Sequence, residues 1–193
     1  MTQPQPDFAT ARRAMIDSQL RPQGVTDAAL LAAMAAVPRE QFVPESVRAI
    51  AYGDRPLDLG DGKALMPPAP LAMLLGELQP RAGERALVVG SGNGYAAAVL
   101  QALGVAVVST DAMAGLGTDT YDIVLVDGAV EAVPEAIVAR IAPGGRLGTA
   151  IADQGVTRLA IGRVAGGAFG LRQFADVHVP PLNAFARPRA FTF

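Results

Sequence analysis

The sequence predicts an α/β protein: a doubly wound, Rossmann-like sheet with an N-terminal helical extension and a C-terminal antiparallel strand pair. Three observations carry that prediction. Residues 85–151 alternate short apolar runs with helix-like segments, the order of a βαβ sheet. Ala86-Leu87-Val88-Val89 runs directly into Gly90-Ser91-Gly92-Asn93-Gly94, a buried strand feeding a glycine turn. Runs such as Ile123 to Val126 are apolar throughout, as expected of parallel strands covered on both faces.

The chain has 193 residues, 51% of them hydrophobic. That is enough for one sizeable core and short for two, so a single domain over 1–193 is expected, with helices in 1–80 and the sheet core in 81–193. A net charge of -2 makes no electrostatic case for a nucleic-acid or membrane partner. With no cysteine and one histidine, His178, no metal site is expected. Residues 1–7 lack the basic and apolar regions of a signal peptide. Every apolar stretch is broken before the roughly 20 residues a spanning helix needs. A soluble, cytoplasmic protein is expected.

Residues 8–52 read as helical, with Asp7 capping a first helix and Thr26 a second that presents Leu30, Leu31, Met34 and Val37 before Pro38 stops it. A short helix follows Pro44. Glycine and proline punctuate 53–70, which reads as one long loop, and long loops in compact domains are often functional. A helix over 71–78 then leads to the alternating core: strand 85–89, helix 94–103, strands 105–110 and 122–127, helix 133–141, strand 146–151. Residues 157–164 and 171–179 close it as an antiparallel pair joined through Gly166, Gly167 and Gly170.

Gly90, Gly92 and Gly94 lie where a tight turn lets a ligand approach backbone N–H groups at the positive end of a helix. A nicotinamide fingerprint would place a further glycine at 95, where this chain has Tyr95. Asp111 follows the next strand, about 20 residues on, where a carboxylate can accept from a ribose diol. Asp127 ends the strand after that; it could serve as a base, a metal ligand or a contact to the cofactor, and equally as a solvated turn aspartate. His178 has no evident partner and reads as structural.

Beyond the glycine loop, Ser18-Gln19-Leu20-Arg21, Val37-Pro38-Arg39-Glu40-Gln41-Phe42-Val43-Pro44 and Ala51-Tyr52-Gly53-Asp54-Arg55-Pro56-Leu57 follow in order. With Gly90 to Tyr95, Pro143 to Leu147 and Val177 to Leu182, these segments resemble the protein-L-isoaspartate O-methyltransferase family. The resemblance implies a class I methyltransferase sheet and S-adenosylmethionine as cofactor. It also implies a repair reaction that methylates the free carboxylate of an isoaspartyl residue in a protein or peptide substrate. Gly90, Ser91, Gly92, Gly94, Tyr95, Asp111 and Asp127 would then be cofactor contacts. Asp54, Asp127 and the Met66 position would be catalytic candidates.

The chain departs from the family in three places. The family's substrate loop, roughly G-x-T-I-S-Q-P, reads here Gly62-Lys63-Ala64-Leu65-Met66-Pro67-Pro68, so two hydroxyls that could orient a carboxylate are replaced. Val88 stands where the family has an acid. Residues 112–120 are too few for the helix, strand and helix expected there, so the sheet should lack one strand and its helix. The departures leave two further readings open. One is a member that has lost catalysis and serves as a binding or scaffold module; the other is a methyltransferase redirected to a small molecule.

Overall fold

The structure, a computed structural model, describes residues 7–90 and 93–182. Helix α1 (Phe8–Met15) is capped by Asp7, whose side chain accepts the Thr10 N–H at 3.1 Å. It continues through a π turn over 16–20 and a 3-10 turn over 21–23 until Gly24 reverses the chain with φ +81°. Helix α2 (Ala28–Ala36) is capped by Asp27, not by Thr26 as expected, because the helix begins one residue later and the Asp27 carboxylate reaches the Leu30 N–H at 2.9 Å. A 3-10 turn over Arg39–Phe42 and the short α3 (Glu45–Arg48) complete the extension.

The stretch expected to be one loop contains a hairpin, β1 (Leu57–Gly60) with β2 (Lys63–Leu65). Gly60, Asp61 and Gly62 all adopt positive φ, which reverses the chain within a few residues. Helix α4 (Pro68–Leu78) follows.

The main sheet comprises β3 (Arg85–Gly90), β4 (Ala106–Thr110), β5 (Tyr121–Val130), β6 (Ile141–Asp153), β7 (Val156–Ala165) and β8 (Ala168–Val177), with α5 (Tyr95–Ala102) and α6 (Glu135–Val138) in its crossovers. Its order is β4-β3-β5-β6-β7-β8. The first four strands are mutually parallel and the last two antiparallel. The β7–β8 turn uses Gly166 and Gly167 at φ +58° and +80°, whereas Gly170, expected in the turn, pairs with Arg163 inside β8.

Other boundaries also move. The helix expected over 133–141 is one turn, Glu135–Val138, because residues from Ile141 onward are drawn into β6. Asp127 does not end its strand, since β5 runs on to Val130 across an irregularity between Leu125 and Ala129. Residues 111–120 hold a single 3-10 turn, Met113–Gly115, so β4 forms the edge where a further strand would pair.

The central strands β3 and β5 are buried on both faces, with alternate residues on each. Ala86, Val88, Ile123 and Leu125 pack with α2, α4 and α5. Leu87, Val89, Val124 and Val126 pack with Leu116, Tyr121 and Ile137. The second face has the thinner cover, since only short segments supply it. Among the described residues, no helix is long and apolar enough to cross a membrane.

Candidate active site

Strand β3 has β4 on one side and β5 on the other; α5, which connects β3 to β4, packs on one face, and the 111–120 connection from β4 to β5, through Leu116, on the other. A crevice therefore forms outside the carboxyl ends of these strands. Gly90 closes β3 opposite Asp127. A Cβ on Gly90 would lie 2.8 Å from the Asp127 carbonyl oxygen, so the approach requires glycine. Gly94 caps α5 at φ +80°, and the Tyr95 N–H donates to Asn93 Oδ1 at 3.1 Å. Ser91 and Gly92 lie outside the described residues.

Val88, Gly90, Gly94, Ser109, Thr110 and Asp127 line a cleft of about 60 Å³. A wider groove of about 410 Å³ reaches from Asn93 past Phe42 and Pro44 to the hairpin tip at Gly60, Asp61 and Lys63. Asp111 follows Thr110 and is exposed; its Oδ2 accepts from Lys63 Nζ at 2.8 Å. The hydrogen bond and charge of Lys63 hold the Asp111 carboxyl below its usual range, and Asp111 correspondingly raises the Lys63 ammonium.

Beneath the cleft lies a buried cation. Arg39 has no exposed surface. Its Nε donates to the Ala51 carbonyl at 2.7 Å and its Nη2 to the Met66 carbonyl at 2.6 Å. Its guanidinium stands 4.8 Å from the centre of the Tyr95 ring. Burial lowers the Arg39 pKa, and Tyr95 and Asp127 oppose that fall. Asp127 is itself 3% exposed. One side chain thus joins the backbone at Ala51 and Met66 to the Tyr95 ring at the start of α5 and, through its charge, acts on Asp127 at the β3–β5 pairing.

The structure brings Gly90, Gly94 and Asp127 onto one cleft, with Asp111 at its β4 side. It does not place the other candidates there. The Tyr95 side chain is fully buried, packed edge-on against Phe42 with ring centres 5.5 Å apart. Met66 is 1% exposed and presents its carbonyl to Arg39. Asp54 lines a separate cleft of about 220 Å³ with Gln23, Pro67, Pro70, Met73 and His178. The sequence did not single out Ser109 and Thr110 as lining residues, nor Arg39 as a centre. The only signal for Arg39 was its place in the Val37 to Pro44 segment.

The donor set fits S-adenosylmethionine. The left-handed Gly94 carries no side chain and leaves the start of α5 open to ligand atoms, while the side of Gly90 is filled by Asp127. The exposed Asp111 carboxylate on the neighbouring strand suits a ribose diol. Val88 contributes apolar lining only.

The sequence matches the family described as Protein-L-isoaspartate(D-aspartate) O-methyltransferase (PCMT) over residues 10–119. It is similar to a protein-L-isoaspartate O-methyltransferase of Methylorubrum extorquens (strain PA1), 37% identical over 209 residues, covering 94% of this chain and 92% of that protein. A second relative, protein-L-isoaspartate O-methyltransferase 2 of Marinobacter nauticus, is 32% identical over 206 residues, with 91% and 94% covered. Among solved structures, a protein-L-isoaspartate O-methyltransferase from Plasmodium falciparum in complex with S-adenosyl-L-homocysteine superposes with a TM-score of 0.73 at 18% identity. It covers 93% of this chain and 100% of that one.

Proposed function

This chain belongs to the protein-L-isoaspartate(D-aspartate) O-methyltransferase family, and from that premise we propose that it transfers a methyl group from S-adenosylmethionine to the free carboxylate of isoaspartyl residues in proteins. The observation that carries the proposal is the crevice at β3–β4–β5, where a glycine-only approach at Gly90 sits between Asp127 on β5 and Asp111 after β4. The cofactor, when bound, supplies an electrophilic methyl group on a sulfonium.

The chain's own residues supply position. Backbone groups at Gly90 and Gly94 take the methionine portion, and Asp111 accepts from the ribose hydroxyls. Asp127, which favours the charge of the buried Arg39, supports the charged end of the cofactor. Asp54 and the prolines at 67 and 70 offer a second cleft for the substrate chain. A sulfonium donor needs an aligned nucleophile and excluded water more than a strong base, so positioning supplies most of the catalysis.

Transfer of labelled methyl from S-adenosylmethionine to an isoaspartyl peptide tests the proposal. The label should appear on the isoaspartyl peptide and not on its normal aspartyl counterpart. Equal labelling of both, or none of either, would overturn it.

A further inference from the structure

Lys63 is the chain's one lysine; apart from His178, every other basic side chain is arginine. It opens β2, in the stretch where this chain departs from the family's substrate loop. The β1–β2 hairpin pairs only with itself and is not part of the main sheet, and an isolated two-stranded hairpin is marginal on its own. Its base is fixed, because Leu57 and Leu65 are 2% and 0% exposed. Its tip, Gly60 to Gly62, is exposed. Next to the tip, Leu59 packs against the core, and the Lys63–Asp111 ion pair at 2.8 Å, whose side chains are 44% and 51% exposed, reaches across to the end of β4.

The carboxylate on the receiving end is the one proposed above for the ribose. A carboxylate has two oxygens, and a ribose diol bound through both hydroxyls uses them together. Each oxygen can accept two hydrogen bonds, so Lys63 at Oδ2 competes by taking one of those sites and drawing off the carboxylate's charge, not by filling the oxygen. We propose that Lys63 is a latch that competes with the cofactor's ribose diol for Asp111, so that cofactor entry and release of the hairpin tip are one event. This role rests on the ribose function assigned to Asp111. The mutual pKa shifts of Lys63 and Asp111 are in the direction such a pair requires. Since the hairpin tip also borders the groove beside Asn93, its release would widen the approach to the glycine loop.

The test uses the full chain. Calorimetric titration with S-adenosylmethionine at low salt should show Lys63→Met binding about two- to five-fold more tightly than wild type, the range expected for losing a competing exposed ion pair. The two should converge near 1 M salt, where the screening length is about 3 Å. A lysine-specific endoproteinase has a single site in this sequence, after Lys63, and S-adenosylhomocysteine should accelerate cleavage there. Weaker or unchanged binding by Lys63→Met, or slower cleavage with ligand, overturns the latch. Asp111→Asn separates this failure from that of the ribose assignment. If Asp111→Asn leaves affinity unchanged, or wild type binds no ligand, the ribose assignment falls and the latch with it. If Asp111→Asn weakens binding while Lys63→Met shows no gain, the latch alone falls.

Discussion

Arg39 is the residue on which the site's architecture turns. It satisfies two backbone carbonyls, stacks on Tyr95 and offsets the charge of Asp127 from a position without solvent contact. Arg39→Met would leave the buried Ala51 and Met66 carbonyls without their donor and remove a charge that Asp127 favours, a loss of about 3–5 kcal/mol by urea unfolding. Arg39→Lys keeps the charge but cannot span both carbonyls or stack as a plane, so it should lose less, about 1–3 kcal/mol. Equal losses for the two variants would argue that shape rather than charge is what Arg39 supplies.

A second arginine ties α4 to the sheet. Arg146 holds Glu84 with two contacts of 2.8 Å, donates to the Gln79 carbonyl at 2.7 Å and also reaches the Leu78 carbonyl. The hydrogen bond from Arg146 lowers the Glu84 pKa below its ordinary 4.5. A depressed carboxyl stabilises the fold above its unfolded pKa and loses that contribution as pH falls through the folded value. Glu84→Gln should therefore cost roughly 1 kcal/mol at neutral pH, given solvent screening. The gap from wild type should narrow below about pH 4.5 in denaturation curves taken across the acid range. A gap that widens on acidification would contradict the assigned sign. Such roles were not legible in the sequence, because the partners of Arg39 and Arg146 are distant in the chain. Asp111 and Gly90 were legible because strand, turn and acid follow each other at short spacing.

At the scale of elements, the succession of core strands along the chain and the glycine turn could be read directly, since apolar runs and glycines are local signals. The hairpin over 57–65 could not, because a dense glycine and proline pattern reads as loop whether or not two short strands pair within it. The helix before β6 shrank for a tertiary reason: Ile141 pairs with Tyr121, and strand formation outcompetes a helix that begins after Pro134. The β3–α5 turn carries the sharpest prediction at this scale. Gly90→Ala places a Cβ 2.8 Å from the Asp127 carbonyl oxygen, so the strands must separate. A loss of about 1–3 kcal/mol in urea unfolding is expected, together with weakened S-adenosylmethionine binding. A variant of wild-type stability and affinity would show that the close approach is not needed.

For the whole molecule, the shortened connection over 111–120 has consequences at both edges of the cleft. It leaves β4 unpaired on one side, with Val108 46% exposed, and it thins the cover over one sheet face to Leu116, Ile137 and their neighbours. The missing strand could be inferred from chain length alone. What length could not reveal is that the hairpin reaches back to Asp111 from the other half of the chain and borders the groove from that side. This reduced sheet is expected still to hold S-adenosylmethionine by its glycine turn and the acid after β4. Calorimetry on the purified chain tests it most directly. One equivalent of S-adenosylmethionine should bind, and Asp111→Ala should weaken binding at least about ten-fold, a change of about 1.4 kcal/mol. Absence of binding to the wild-type chain, or equal affinity in the variant, would contradict it.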